Sequence, residues 1–227
     1  MRESILIYGG GGHAKAIIDL IRKLNTWQIA GIVDDQIAAG TLVSGIPVLG
    51  TGSILPQLKC NGVHSAVNTV GGIGDYTIRW KIFESLVQNG YDFPVLVHPS
   101  AFVEATAALE PGVQVLPMSY ISSDAQIGFG TLINAGVVIS HDCCIGRCVN
   151  LSPGAKLAGY VQIGDFAQIG MNASVNLNLK IGKEARIGNG AVIKADVPDK
   201  GRVYAGQVWP YRRMLPDSES GNIRKIA

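Results

Sequence analysis

The decapeptide VVISHDCCIG, residues 137–146, carries the side chains of this sequence best suited to chemistry. His141 and Asp142 stand side by side in a run composed mainly of Val, Ile and Cys. Histidine can accept a proton at physiological pH because its ordinary pKa lies close to neutrality. A neighbouring carboxylate can fix the imidazole tautomer and stabilise the imidazolium that forms. The pair therefore predicts a general base, His141, oriented by Asp142; the alternative is that His141 is a structural residue.

A second chemical signal is the glycine run Gly9–Gly12, which is followed by His13 and lies between a predicted strand and a predicted helix. The run satisfies G-x-G-x-x-A, and Asp34 follows where dinucleotide-binding proteins place an acidic residue. Glycines let the backbone approach a ligand, and the helix N-terminus supplies N–H donors. The repeat described below leaves no room for a second nucleotide-binding lobe, so a smaller site for a nucleotide or nucleotide sugar is predicted. Alternatively, the glycines only allow close packing of the helix on the sheet.

Composition argues against several function classes. The chain has 227 residues and a formal net charge of +2, which marks neither a nucleic-acid-binding protein nor one with a polybasic surface for binding membranes. No apolar run reaches the roughly 18 residues of a membrane helix, and no signal peptide is recognised, so a cytoplasmic location is predicted. Three of the four cysteines lie within residues 143–148 without paired C-x-x-C spacing. No disulfide framework and no metal site are expected, and Cys143 and Cys148 are interpreted as small apolar fillers.

A six-residue repeat fixes the expected fold of the second half. Every sixth residue from Val103 to Ile193 is Val, Leu or Ile, and a small or β-branched residue usually follows four positions later. This period fits short strands joined by tight turns, three to a triangular coil of about 18 residues. Glycine often follows the aliphatic residue, and we expect it to supply backbone angles that other residues resist. The pattern predicts a parallel β-helix.

The first half follows a different pattern. SILIYGG and WQIAGIVDD read as strands, VHSAVNTV as a further strand, and GGHAKAIIDLIRKL and GDYTIRWKIFESLVQNG as helices. Asp75 is the expected N-cap of the second helix, and Gly90 is expected to end it. Strand, helix and strand with short joins indicate a small Rossmann-like parallel α/β domain. The predicted domains are residues 1–96 (nucleotide-sugar binding), 97–205 (β-helix) and 206–227 (C-terminal tail).

These motifs together resemble one family. YGGGGHAKAIIDL, GIVDD, GIGDYTIRWKIF, LVHPSAFV, VVISHDCCIG and LSPGAKLAG, in this order and with the sixfold repeat, are similar to bacterial hexapeptide-repeat sugar acyltransferases. That family includes sialic-acid O-acetyltransferases and N-acetyltransferases of nucleotide-linked 4-amino sugars. The resemblance extends from the glycine run to about Val203. It implies a left-handed β-helix that assembles as a homotrimer, with acetyl-CoA in the groove between neighbouring coils.

The resemblance also implies the site residues. His141 matches the general base of the family, and Gly159 matches a glycine whose N–H stabilises the oxyanion. Asn150 stands where many relatives have a second histidine, and it cannot titrate near neutral pH. The residues expected to bind acetyl-CoA are Asn150, Ser152, Gly159, Met171 and Arg212. Those expected to bind the nucleotide sugar are Gly11, Gly12, His13, Asp34, Asp35, Ile73, Gly74 and Asp75.

The predicted reaction is transfer of the acetyl group of acetyl-CoA to the C4 amine of a nucleotide-linked amino-deoxy sugar, by direct attack on the thioester and without a metal. UDP is the nucleotide expected from the resemblance, with dTDP and GDP as alternatives. One competing interpretation is O-acetylation of a sugar hydroxyl, as in sialic acids, by the same histidine. Another is a non-catalytic trimeric binding or scaffold protein.

Overall fold

The computed structural model describes residues 2–71 and 73–211. The N-terminal part is a five-stranded sheet in the order β3-β4-β2-β1-β5, parallel except for the β3–β4 hairpin. Helix α1 packs on one side of the sheet, and α2 and α3 pack on the other. The elements are β1 (Glu3–Tyr8), α1 (Gly12–Leu24), β2 (Trp27–Val33), β3 (Leu42–Val43), β4 (Ile46–Gly50), α2 (Leu55–Cys60), β5 (Ser65–Asn68) and α3 (Tyr76–Gln88).

Both predicted helices form for the predicted reasons. In α1 the side chains of Ile17, Ile18 and Ile21 are fully buried against β1, as their helical spacing requires. The N-cap of α3 is Asp75, whose carboxylate accepts a hydrogen bond from the Thr77 N–H at 2.9 Å. The positive φ of 72° at Gly90 lets the chain turn away beyond the end of α3. The N-cap and the helix end predicted from the sequence are therefore confirmed.

The second part is a left-handed parallel β-helix of two-residue strands in three sheets. Face one consists of β7 (Phe102–Val103), β10 (Tyr120–Ile121), β13 (Val138–Ile139), β16 (Lys156–Leu157), β19 (Ser174–Val175), β22 (Val192–Ile193) and β24 (Val208–Trp209). Face two consists of β8 (Ala108–Leu109), β11 (Gln126–Ile127), β14 (Cys144–Ile145), β17 (Gln162–Ile163) and β20 (Lys180–Ile181). Face three consists of β6 (Leu96–Val97), β9 (Gln114–Val115), β12 (Leu132–Ile133), β15 (Asn150–Leu151), β18 (Gln168–Ile169), β21 (Arg186–Ile187) and β23 (Arg202–Val203).

The stacked coils bury the repeat residues in one continuous core. Each strand pairs in parallel with the equivalent strand of the next coil, so that Ile121 lies beside Ile139 and Ile139 beside Leu157. These side chains are almost fully buried, and so are the small corner residues such as Ala125. The fold class predicted from the repeat is confirmed. The predicted division of the chain at residues 96 and 205 stays a prediction.

The glycines that follow the aliphatic residues of the repeat do not supply unusual backbone angles, so that expectation is wrong. Gly146 and Gly164 do not have positive φ; they are needed because the next coil passes too close for a side chain. A Cβ at Gly146 would lie 2.7 Å from the Asp165 nitrogen, and one at Gly164 would lie 2.6 Å from the Lys183 nitrogen. The left-handed residue stands elsewhere in each turn, and at the turn after β13 it is Asp142, with φ of 57°.

The α/β part packs against face three and the adjoining turns. The buried guanidinium of Arg79 donates to the carbonyl oxygens of Asn68 and Val70 and, across the junction, to that of Gly130 at 3.0 Å. Burial lowers the pKa of Arg79 to about 10, so it stays a cation at neutral pH. Beside it the rings of Phe83 and Phe129 meet edge to face, with centroids 4.8 Å apart.

None of the helices within residues 2–71 and 73–211 is long and apolar enough to cross a membrane. The same residues contain no group of three or more His, Cys, Asp or Glu side chains arranged to hold a metal ion.

Candidate active site

The His141–Asp142 pair forms as the sequence predicts. The Nδ1 atom of His141 lies 2.8 Å from the Asp142 Oδ2 atom, at the turn that joins face one to face two. The carboxylate can only accept, so Nδ1 carries the proton and Nε2 is left with its lone pair. The imidazole is about half exposed, at 52% of its side-chain area, so a substrate can reach it. This is the arrangement of a general base held in one tautomer by a carboxylate.

Gly159, one coil above, lies directly against the imidazole. A Cβ at this position would be 2.7 Å from Cε1 and 2.8 Å from Nε2 of His141, closer than non-bonded atoms approach. The Gly159 N–H donates to no acceptor within the described residues, while the next residue, Tyr160, donates its N–H to the His141 carbonyl at 3.1 Å. Within the described residues this N–H is therefore unpaired at a position in contact with the imidazole, and such a donor can stabilise a negative oxygen.

Tyr160 forms a further wall of this site. Its ring meets the imidazole of His141 edge to face, with centroids 5.1 Å apart and an interplanar angle of 87°. The tyrosine is itself about half exposed. Tyr160, Asp142 and Gly159 thus contact the imidazole from three sides.

The cysteines next to the pair differ in exposure. Cys143 is buried, its Sγ lies 3.2 Å from the Ala158 carbonyl oxygen, and burial raises the pKa of its thiol to about 11. Burial likewise raises the pKa of Cys148 to about 11. Both remain thiols at neutral pH, and a thiol is a weak nucleophile. Their buried positions agree with the interpretation as apolar fillers, and Cys144 is exposed.

The glycine run and the acidic pair meet at the carboxyl ends of β1 and β2. The Gly10 N–H donates to the Asp34 Oδ2 atom at 2.6 Å, and Oδ1 accepts from two backbone N–H groups that follow it. Asp35 accepts from the Tyr8 hydroxyl at 2.7 Å and from the Gly52 N–H at 2.9 Å. Burial, and then the Asp35 carboxylate, raise the pKa of Tyr8. Both carboxylates therefore brace the loops around the glycine run.

Gly11 and Gly12 line the open side of this edge. A Cβ at either position would meet no atom within 4 Å, so the backbone is open to a ligand. Gly11 is the N-cap of α1 and has no side chain to cap it, which leaves the first N–H groups of the helix available.

His13 has a defined tautomer. Its Nε2 atom lies 2.8 Å from the Gln114 Oε1 atom, and the Gln114 Nε2 atom donates to the Asn68 carbonyl at 2.8 Å. A carbonyl can only accept, so the Gln114 amide must present its oxygen to His13 and Nε2 of the imidazole must carry the proton. Burial lowers the pKa of His13 to about 4. At neutral pH this side chain is uncharged, with its Nδ1 atom free to accept.

The third predicted turn, residues 73–75, docks on face three. The Gly74 N–H donates to Gln168 Oε1 at 3.1 Å, and the Gly74 carbonyl accepts from Gln168 Nε2 at 2.8 Å and from Arg186 Nη2 at 2.9 Å. Ile73 is 76% exposed and lines a cavity of about 300 Å³. Asn150 and Ser152, predicted to bind acetyl-CoA, line the same cavity.

The predicted residues form two separate groups. His141, Asp142 and Gly159 lie together at the turn between faces one and two, whereas the nucleotide-sugar residues lie on the side of face three. Met171 is exposed, and its N–H donates to Asn189 Oδ1 at 2.9 Å. Arg212 lies outside the described residues.

Sequence reasoning missed the polar residues that join the two parts, Gln114, Gln168 and Arg186. Each stands one position before a buried aliphatic residue on face three, where a β-strand side chain points outward. These residues are separated by multiples of 18 positions, which places outward polar side chains on one face, and this spacing could have predicted them from the sequence.

Known proteins share this architecture. Residues 4–86 match the family described as PglD N-terminal domain. The chain is 32% identical over 163 residues to GDP-perosamine N-acetyltransferase of Escherichia coli O157:H7, covering 69% of this chain and 71% of that protein. It is 31% identical over 114 residues to UDP-N-acetylbacillosamine N-acetyltransferase of Bacillus subtilis (strain 168), covering 50% of this chain and 51% of that protein.

A solved structure extends the likeness across both parts of the chain. Perosamine N-acetyltransferase from Caulobacter crescentus, solved as a histidine-to-asparagine mutant in complex with CoA and GDP-perosamine, superposes with a TM-score of 0.84. The two chains are 33% identical, and the superposition covers 89% of this chain and 93% of the other.

Proposed function

Because the chain belongs to the bacterial family of hexapeptide-repeat sugar acyltransferases, we propose that it transfers the acetyl group of acetyl-CoA to the amine of a nucleotide-linked amino sugar. The observation that carries this proposal is the His141–Asp142 pair with Gly159 packed against the imidazole. The relatives named above acetylate amino sugars carried on nucleotides, and one of them was crystallised with a histidine replaced.

Each residue of the pair has a part in the proposed reaction. The C4 amine attacks the thioester carbonyl carbon and passes a proton to Nε2 of His141, while Asp142 stabilises the imidazolium. The carbonyl oxygen becomes an oxyanion that accepts a hydrogen bond from the Gly159 N–H. Collapse of this intermediate breaks the carbon–sulfur bond, and the departing thiolate of CoA takes the proton from His141. The products are the N-acetylated sugar and CoA.

Neutral His13 fits the binding of an uncharged part of the nucleotide sugar. It cannot neutralise a phosphate, because it is uncharged at neutral pH, and it cannot donate to one from Nδ1, because that atom carries no proton. It can accept from a hydroxyl or an amide N–H of the ligand. The N–H groups at the start of α1, next to Gly11 and Gly12, remain available for hydrogen bonds to a phosphate of the nucleotide sugar.

The positions of the two groups support a homotrimer. The base lies at the edge between faces one and two, and the α/β part of the same chain rests on face three. We propose that in the homotrimer the nucleotide sugar held by one copy reaches His141 of a neighbouring copy. Multi-angle light scattering tests it, since a monomer with full activity contradicts it.

The nucleotide of the substrate is the first variable to test, because one relative is named for a GDP-linked sugar and the other for a UDP-linked sugar. Release of free thiol from acetyl-CoA is followed with UDP-, dTDP- and GDP-linked 4-amino sugars. His141→Asn is measured beside wild type, with the exposed His64→Asn as the matched control. Turnover of one amino sugar, lost in His141→Asn and kept in the control, supports the proposal. Turnover of a hydroxyl acceptor alone assigns O-acetylation. Full activity of His141→Asn shows that His141 is not the general base.

A further inference from the structure

The cavity lined by Ile73 contains two arginines that the proposed reaction does not use. Arg186 and Arg202 point outward from neighbouring strands of face three, and their Cα atoms are paired in register. The cavity measures about 300 Å³, and its other polar lining includes Asn150, Gln168 and Asn189. It is thus a pocket with two guanidinium groups on one wall and amide side chains around them.

The arginines face each other without a matching anion. Side chains directly paired on neighbouring strands lie about 5 Å apart, and like charges there are destabilising. Neither arginine forms a salt bridge with any of the residues that the structure describes. Arg186 donates one hydrogen bond, to the Gly74 carbonyl, and the Arg202 side chain donates none within the same residues. Most of their N–H donors are therefore free to bind a ligand.

The nearby acidic groups are committed to other partners. The Asp75 carboxylate caps α3 by accepting hydrogen bonds from Thr77, and these bonds are the main cause of its lowered pKa. The charge of Arg186 lowers the pKa of Asp75 further, but it is a smaller cause. Glu184 has its carboxylate 3.8 Å from the Lys183 ammonium and 3.9 Å from that of Lys200. Within the described residues neither carboxylate forms a salt bridge with Arg186 or Arg202.

We propose that Arg186 and Arg202 form a phosphate-binding subsite in the cavity lined by Ile73. Two adjacent guanidinium forks match the oxygens of a phosphate or diphosphate, and the bound anion removes the repulsion between them. This inference rests on the proposed function, which supplies two substrates with phosphates, acetyl-CoA and the nucleotide sugar. The cavity is lined both by Asn150, which is predicted to bind acetyl-CoA, and by Ile73, which is predicted to bind the nucleotide sugar.

The test is direct binding to Arg202→Gln, because this exposed side chain makes no hydrogen bond in the described structure whose loss would perturb the fold. Pyrophosphate, CoA, UDP and GDP are each titrated by calorimetry into wild type, Arg202→Gln, Arg202→Lys and the matched control Arg2→Gln. We expect pyrophosphate to bind roughly tenfold more weakly to Arg202→Gln than to wild type. Arg202→Lys should lie between the two, and Arg2→Gln should equal wild type.

The melting temperature of the ligand-free protein supplies a second readout. Removing one of two facing like charges should leave it unchanged or higher in Arg202→Gln, whereas a merely structural arginine would lower it. A lower melting temperature with unchanged binding therefore overturns the proposal.

The four probes show which substrate supplies the phosphate, and they test the subsite separately from the proposed function. A loss confined to CoA assigns the subsite to acetyl-CoA, and a loss confined to UDP or GDP assigns it to the nucleotide sugar. Equal binding of all four probes to wild type and Arg202→Gln overturns the subsite and leaves the proposed function standing. Arg202-dependent binding of pyrophosphate by a protein that binds neither CoA nor nucleotide keeps the subsite and contradicts the proposed function. A wild type that binds none of the probes contradicts both.

Discussion

The contact between Gly159 and His141 gives the most direct test of the proposed base. In Gly159→Ala the new Cβ would lie 2.7 Å from Cε1 and 2.8 Å from Nε2 of His141. Carbon atoms settle at about 3.5–4.0 Å, so the imidazole has to move by roughly 1 Å. The substitution keeps the N–H of residue 159, so the expected effect comes from displacement of the base. A misplacement of about 1 Å costs on the order of 100-fold, and we expect kcat to fall about 10- to 100-fold.

The fold should tolerate this change. Gly159 does not have positive φ, and the imidazole that must yield is about half exposed, so the melting temperature should change by less than about 3 °C. The KM for the nucleotide sugar should change little, because the atoms nearest to the added Cβ are those of the imidazole and not of the residues predicted to bind the nucleotide sugar. Ala105→Ser is the matched control, since residue 105 holds the equivalent turn position in the first coil and is exposed.

The assay is thiol release at saturating concentrations of both substrates, with thermal unfolding measured on the same preparations. A Gly159→Ala variant with wild-type kcat would refute the reasoning, because the imidazole would then not be needed in its observed position. A large drop in melting temperature would instead show that Gly159 is required for folding of the turn.

Substitutions at Asp142, Cys143 and His13 should have three different effects. Asp142→Ala frees the imidazole of His141 to change tautomer and should lower kcat about 10- to 1000-fold, as thiol release measures, with little effect on either KM. Cys143→Ala should keep kcat within about threefold, because the buried thiol with its pKa near 11 is no nucleophile; complete loss of turnover would contradict this. The pKa of His13 falls from 6.5 in the unfolded chain to about 4 in the fold, so the unfolded state binds the extra proton between these values. Wild type should therefore lose about 3 kcal/mol of unfolding free energy relative to His13→Gln as the pH falls from 6.5 to 4, in urea unfolding at each pH; parallel curves for the two proteins would contradict it.

The fold could be predicted from the sequence where a periodic constraint acts on every coil. An inward position recurs at each sixth residue, so the aliphatic residues from Val103 to Ile193 reveal the β-helix without any tertiary information. The β3–β4 hairpin, residues 42–50, was missed. Its first strand has only two residues, too few for an alternation to be visible.

The site could be predicted only as far as local sequence determines it. His141 and Asp142 are adjacent in the chain, so their hydrogen bond follows from local geometry. The bracing role of Asp34 depends on Gly10, which is brought near by strand pairing, and no spacing rule reveals it. The bond between Gln168 and Gly74 depends on how two domains dock, which leaves only a weak trace in the sequence. Contact of Asp34 and Gly74 with a nucleotide sugar stays a prediction.

The β-helix turn explains how neighbouring residues form a catalytic pair. In a strand the side chains of His141 and Asp142 would point to opposite faces and could not meet. The turn places Asp142 in the left-handed region, with φ of 57°, and the two side chains come within 2.8 Å. Aspartate tolerates this conformation better than most residues, so the cost is small. The same conformation recurs at Asp124 and Cys148, so the fold supplies the geometry at every coil and the sequence adds chemistry at one.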